Sequence, residues 1–397
     1  MSTPLLSSAI TLTPRGAPAK HRIGVVSTYP PKLCGLATFA SALEHGLTRA
    51  GNRVDVVRID GAADTVTTPR SVVAELVGGA ASSVRRCAAA LDQCDVAIIQ
   101  HEYGIYGGPD GDEVLDLMRA VHVPIIVVLH TVPLVPTAHQ RSVLESVAEL
   151  ADRVIVMTAT AMSRLTSLYA ITPTNVEIIP HGASVAALDV ASPGMGIDSV
   201  PQLLTWGLIG PGKGIEHTIS ALALLGDLHP HPRYTVAGVT HPKVFANEGD
   251  RYRHSLIERS NALGVADDVE FDDTYRNVAQ LTRFIASSTA VLLPYDSRDQ
   301  VTSGVLVDAI AAGRPVIATA FPHAVELLST GAGIVVPHAD PESLAAAIRV
   351  VLTDGDAIDS MRAEARRLAP SFSWDAVSRL YADLTDELVQ AAEPVAI

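Results

Sequence analysis

From His21 onward, short β-branched apolar runs alternate with longer stretches in which apolar residues return at helical spacing. That alternation predicts parallel sheets covered on both faces, whose strands read as unbroken apolar runs because neither face meets water. Strands are predicted at residues 22–28, 52–59, 95–102, 124–131, 153–158 and 176–180, with a loop at 30–39 leading into a helix that ends near Ala50. Residues 184–202 lose both periods and carry Pro and Gly, so they read as a linker. The alternation then restarts, with strands at 203–209, 233–239, 268–273, 290–295, 315–320 and 333–337. Helices are predicted between them at 214–226, 250–263, 277–286, 304–312 and 341–353, and a last helical stretch covers 371–388. The expected organisation is a flexible tail over 1–20, a Rossmann-like domain over 21–183, the linker, and a second Rossmann-like domain over 203–371. Two such halves put the natural active site in the cleft between them.

Composition narrows the class. The 397 residues are 48% hydrophobic and 18% charged, which fits a packed α/β protein and excludes a disordered or fibrous chain. A net charge of −14, with no Lys/Arg run longer than two, argues against nucleic-acid binding, so an anionic ligand needs its own local positive site. Cys34, Cys87 and Cys94 are too few for a disulfide framework and fit no zinc spacing, which suggests a reducing cytoplasm. Residues 1–20 lack the basic start and long apolar stretch of a signal peptide. No run approaches the roughly 18 apolar residues that a membrane span requires, which leaves peripheral contact at the inner membrane face open.

Candidate chemistry gathers on three strand-end loops. GLIGPGKGIE (207–216) follows a strand and precedes a helix, so backbone amides and the Lys213 ammonium together suit an anion. The alternative is an ordinary Gly-rich connection with a solvated lysine. A P-loop is disfavoured because Gly214 stands where a Ser or Thr would hold Mg²⁺. In DQVTSGVLVDAIAAGRPVIAT (299–319), Ser303 is placed to cap a helix beginning near Gly304, and Asp308, one turn on, suits ribose or sugar hydroxyls. The plain alternative is a normally capped helix with one exposed carboxylate. In HEYGIYGG (101–108), Glu102, Tyr103 and Tyr106 suit acceptor contacts, since aromatic faces stack on sugars.

Taken with PPKLCGLATFASALEHGLTRAGNRVDVV, IIPHG (178–182) and SWDAVSRLYADL, the segments GLIGPGKGIE and DQVTSGVLVDAIAAGRPVIAT resemble, over residues 22–390 and in order, the retaining glycosyltransferases of family 4 (glycosyl transferases group 1). The resemblance implies a GT-B fold of two Rossmann-like domains facing a cleft, with the terminal helix, 372–390, completing the first domain. It implies transfer of a sugar from a UDP-, GDP- or ADP-sugar to a glycan, lipid or small-molecule hydroxyl, with no metal and no further cofactor. Lys213 keeps the family's diphosphate cation; Leu208 replaces its arginine partner, which leaves Arg298 or Lys243 to compensate. The paired family carboxylates fall on Gln300 and Asp308, with Asp299 a possible substitute for the first. Gly35 matches the Gly-rich loop over the diphosphate, and His130 matches a histidine near the donor sugar. The resemblance thus makes Lys213, His130 and Gln300 catalytic. It makes Gly35, Gly207, Gly212, Arg298, Asp299, Thr302, Ser303, Gly304, Val305 and Asp308 donor-binding. Two alternatives remain: a silent member that binds nucleotide sugars, motivated by Leu208 and Gln300, and a sugar phosphorylase on the same fold.

Overall fold

The computed structural model describes residues 19–32, 34–60, 69–185 and 200–392. The expected tail and linker therefore lie largely outside the described residues. Of the tail, Lys20 is described, and its ammonium bonds Asp386 near the chain's end.

The first lobe holds seven parallel strands: β1 (Arg22–Ser27), β2 (Arg53–Asp60), β3 (Val72–Val77), β4 (Val96–His101), β5 (Ile125–Leu129), β6 (Arg153–Val156) and β7 (Val176–Ile178). Helices α1 (Gly35–Arg49), α2 (Ala81–Leu91), α3 (Glu113–Ala120), α4 (Ala138–Leu150) and α5 (Ala159–Leu168) connect them. The strand order is β3-β2-β1-β4-β5-β6-β7, and β4 and β5 are buried throughout, as strands with both faces covered must be. β3 was not predicted. It is an edge strand with Val73 and Val77 exposed, so its pattern carries no clean burial signal.

The second lobe holds β8 (Gln202–Trp206), β9 (Arg233–Ala237), β10 (Val269–Asp272), β11 (Ala290–Leu293), β12 (Val316–Thr319) and β13 (Gly333–Val336), in the order β10-β9-β8-β11-β12-β13. Its helices are α6 (Ile215–Ala223), α7 (Pro242–Glu248), α8 (Arg251–Ala262), α9 (Val278–Ser287), α10 (Gly304–Ala311), α11 (Pro322–Leu328), α12 (Pro341–Thr353) and α13 (Gly355–Leu368). The prediction lacked α7, α11 and α13. α7 and α11 are seven residues each with Pro at the start, too short to show a period.

The chain then returns to the first lobe as α14 (Trp374–Ala392). At the crossing, Ala183 and Phe372–Trp374 run side by side, with Ala183 N–H donating to Phe372 O at 2.7 Å and Trp374 N–H to Ala183 O at 3.1 Å. Val377, Tyr381, Leu384 and Leu388 of α14 join Leu43 and Leu47 of α1 in one core. The helices approach so closely that a Cβ on Gly46 would stand 1.9 Å from Ser378 Oγ. Among the described residues no helix is long and apolar enough to cross a membrane.

Candidate active site

Each sheet reverses its strand order once, between β1 and β4 and between β8 and β11, and ligands bind beyond the carboxyl ends of strands at such points. Leaving β8, the chain passes through Gly207 (φ 121°), Gly212 (φ 88°) and Gly214 (φ 64°) before α6 begins. Gly214 is demanded twice over, because a Cβ there would also lie 1.7 Å from the carbonyl oxygen of Pro294, just past β11. No atom lies within 4 Å of where a Cβ would stand on Gly207 or Gly212, so the loop borders open space. Pinned against the end of β11, the loop sets Lys213 Nζ 4.3 Å from the centre of the Tyr295 ring. Burial alone pushes the Lys213 ammonium below the usual lysine range, and no carboxylate among the described residues opposes it.

From Tyr295 the chain loops to Ser303, whose Oγ accepts from Leu306 N–H at 3.3 Å and caps α10. The Ser303 amide is not open to a ligand, because it donates to His323 Nδ1 at 2.8 Å. The amides of Gly304 and Val305 have no backbone acceptor among the described residues. Gly304 admits a ring from the other lobe: a Cβ there would stand 2.8 Å from His181 Nε2. His181 Nδ1 donates to the Gly182 carbonyl at 2.7 Å, so Nε2 keeps its lone pair, and burial holds the ring neutral by lowering its pKa to about 4. Asp308 follows one turn into α10 without a charged or hydrogen-bonding partner among the described residues, and burial raises its carboxyl to about 7. Thr302 Oγ1, just ahead of the Ser303 cap, is buried without a hydrogen-bond partner among the described residues.

Across the cleft, Cys34 caps α1 through its Sγ, and the space beside Gly35 is open within 4 Å. Phe39 of α1 receives three rings edge-on, His130, His181 and Trp374, each with its centre 5.0 Å away. His130 Nε2 lies 2.7 Å from Gln100 Oε1, and burial with two neighbouring histidines lowers its pKa to about 3. Glu102 accepts from Thr131 Oγ1 at 2.5 Å and from Tyr103 N–H at 3.1 Å, and burial raises its carboxyl. Tyr103 donates to Gln140 O at 3.2 Å. Tyr106, expected to meet an acceptor, is instead a core residue whose hydroxyl donates to Gln100 O at 2.6 Å, because β4 and its return loop close over it.

The loop before α10 differs most from expectation. Asp299 is no substitute carboxylate facing the cleft: it pairs with Arg164 of α5 at 2.5 Å and accepts from Leu134 N–H at 3.2 Å. That tether carries Arg298 into a groove of about 880 Å³ between α5 and α11, which Lys213, Ser303, Gly304 and Asp308 do not line. Gln300 folds its amide back, Nε2 donating to Thr302 O at 3.0 Å. Lys243 is exposed at the head of α7, which is held to the Gly-rich loop by His241 N–H donating to Ile209 O at 2.8 Å. Among the described residues, Glu216, His217 and Asp296 bring ligating atoms within 4.8 Å of one another. His217 Nε2 lies 3.3 Å from Asp296, and Glu216 accepts from the Tyr252 hydroxyl at 2.6 Å.

Sequence reasoning did not single out His181, Tyr295, Phe39 or Arg164. His181 lay within the quoted IIPHG, where a histidine before glycine at a strand end was a usable signal. Tyr295 and Arg164 act through partners distant in sequence, which no local pattern reports.

A family model described as Glycosyl transferases group 1 matches residues 196–368, and one described as Glycosyltransferase Family 4 matches residues 34–186. A curated relative named D-inositol 3-phosphate glycosyltransferase, from Jonesia denitrificans, is 28% identical over 58% of this chain and 56% of its own length. The protein of the same name from Corynebacterium glutamicum (strain R) is 26% identical over 80% of this chain and 77% of its own. In several such relatives, including those from Jonesia and Segniliparus rotundus, the match spans only about half of the relative, 56% and 54%. Among solved structures, sucrose-phosphate synthase from Thermosynechococcus elongatus superposes with a TM-score of 0.71 at 17% identity, covering 94% of this chain and 100% of that one. Anabaena Alr3699/HepE in complex with UDP-glucose gives 0.69 at 17% identity, covering 92% and 100%. At such identities the likeness concerns the fold, which is GT-B. With the two family models falling in order on its two lobes, the chain belongs to the glycosyltransferases of the family 4, group 1 type.

Proposed function

We propose that the protein is a retaining glycosyltransferase that moves a sugar from a nucleoside diphosphate to an acceptor hydroxyl. Lys213 carries the reading: an ammonium without a carboxylate, drawn out of water at the end of β8, beside the strand that leads into α10. A diphosphate suits that charge together with the two open amides at the start of α10. In this reading Lys213 and the amides of Gly304 and Val305 take up the charge that grows on the diphosphate as the glycosidic bond breaks, a role that needs no metal. Gly35, Gly207 and Gly212 leave room for it. Asp308 accepts from the ribose hydroxyls, Gln300 and Thr302 meet the transferred sugar, and His130 stands on its other side. Asp299 serves the donor only by anchoring the loop, and Arg298 faces the separate groove between α5 and α11. An oxygen of the departing phosphate takes the acceptor proton on the face it leaves, which preserves the anomeric configuration without a protein nucleophile.

Glu102 and Tyr103 fall to the acceptor side. Since the curated relatives are named for D-inositol 3-phosphate, polyol phosphates join glycans and lipids in the acceptor panel. The three cysteines are unpaired, in keeping with a cytoplasmic home. The test is a thermal-shift panel of UDP, GDP, ADP and their sugars, followed by mass spectrometry of donor consumption with that acceptor panel. A flat panel sinks the reading. Binding without turnover supports instead a silent nucleotide-sugar-binding member, the reading favoured by Leu208 and by the folded-back amide of Gln300.

A further inference from the structure

We propose that Tyr295 is the positioning residue of the diphosphate seat, its buried ring holding the Lys213 ammonium over the cleft where Leu208 supplies no second cation. The inference rests on the reading of Lys213 as a diphosphate ligand. Its geometry is a stack. Lys213 Nζ lies 4.3 Å from the centre of the Tyr295 ring, and the Phe321 ring stacks on Tyr295 at 5.5 Å with 21° between planes. Tyr295 and Phe321 are both buried, and Thr319 Oγ1 donates to the Tyr295 carbonyl at 2.6 Å, which fixes the backbone that carries the ring. An aromatic face carries the negative part of its quadrupole toward the ammonium. It therefore stabilises the cation without neutralising it, whereas a carboxylate in the same place would compete with phosphate. Fixing a flexible lysine before the ligand arrives also removes part of the ordering cost of binding. The Tyr295 hydroxyl is buried without a partner among the described residues, so the acting part is the ring.

Two measurements test this. The chain has only four lysines, Lys20, Lys32, Lys213 and Lys243, so reductive ¹³C-methylation gives a short list of NMR signals, with Lys213→Arg assigning the relevant one. The Lys213 methyl signal is expected to be shifted upfield by the ring and to titrate alike in the wild type and in Tyr295→Phe. In Tyr295→Leu it loses the upfield shift and titrates at lower pH. With UDP as probe, Tyr295→Leu is expected to weaken binding by about 3- to 30-fold, the span of a partly desolvated cation–π contact. Tyr295→Phe should stay within about twofold, and Tyr295→Leu should add nothing in a Lys213→Ala background. An unshifted Lys213 signal in the wild type overturns the seat itself, whatever UDP does, and holds even if Tyr295→Leu fails to fold. Equal loss of UDP affinity from Tyr295→Leu with and without Lys213 overturns its action through that lysine. A shifted signal with UDP binding indifferent to Lys213→Ala overturns the diphosphate reading instead.

Discussion

Asp308→Asn is expected to stabilise the free protein, and by an amount that depends on pH. Burial holds the Asp308 carboxyl at about 7, against an ordinary value of 3.8. A carboxyl raised in this way costs nothing below its unfolded value, where both states are protonated. The cost grows as pH climbs through the interval and is complete above the folded value. At about 1.36 kcal/mol per pH unit it is on the order of 1–2 kcal/mol near pH 5 and a few kcal/mol, on the order of 3–4, above pH 7. Asparagine keeps the shape and polarity and carries no charge, so the variant escapes that cost. For a lobe of this size ~1 kcal/mol moves the melting temperature by about 2–4 °C. Scanning fluorimetry should therefore show the variant's advantage widening from a few degrees near pH 5 to on the order of 10 °C near pH 8. UDP should act in the opposite sense: ribose hydroxyls donate to the ionised carboxylate, so binding releases a proton and wild-type affinity rises as pH approaches about 7. The variant should bind UDP more weakly and without that slope. A constant stability gap between about pH 5 and pH 8, or a variant that melts below wild type near pH 8, refutes an uncompensated carboxylate at this position.

Three further outcomes are expected. Lys213→Ala should weaken UDP by ~1.5–3 kcal/mol, about 10- to 150-fold by calorimetry, with the melting temperature unchanged or raised; a change under about threefold contradicts the role given to Lys213. Gly214→Ala forces a side chain to φ 64° and 1.7 Å from the Pro294 carbonyl oxygen. It should cost ~2–4 kcal/mol in urea denaturation, and a loss under about 0.5 kcal/mol would show that the loop does not lie against β11. Gly304→Ala brings a methyl within 2.8 Å of His181 Nε2, and a loss of ~1–3 kcal/mol should be largely recovered by adding His181→Ala. Simple additivity of the two would mean that the ring does not rest on α10.

Sheets and their order of appearance were legible because buried parallel strands write themselves as continuous apolar runs, as IIVVL of β5 does. β3 escaped because an edge strand shares its surface with water, and α11 because Pro and seven residues hide a helical period. The positions of Lys213, Ser303, Gly304 and Asp308 were legible as local strand-to-helix chemistry, since Gly-rich turns and caps are read within a few residues. Side-chain commitments were not. The pairing of Asp299 with Arg164 spans 135 residues and the lobe boundary, and it decides which way Arg298 faces. The ring beneath Lys213 is equally a product of two loops that meet only when β8 and β11 lie side by side.

The return of α14 to the first lobe bears on how the chain is born. Val377, Tyr381, Leu384 and Leu388 lie more than 300 residues beyond Leu43 and Leu47, the α1 residues they cover. During synthesis the first lobe emerges first and waits with that face of α1 bare, while the second lobe, whose strands β8–β13 are contiguous, has everything it needs to close ahead of it. Lys20 and His21 likewise wait for Asp386, 366 and 365 residues further along the chain. The core shared by α1 and α14 thus closes only after the whole second lobe has been made, although one side of it belongs to the first helix of the first lobe.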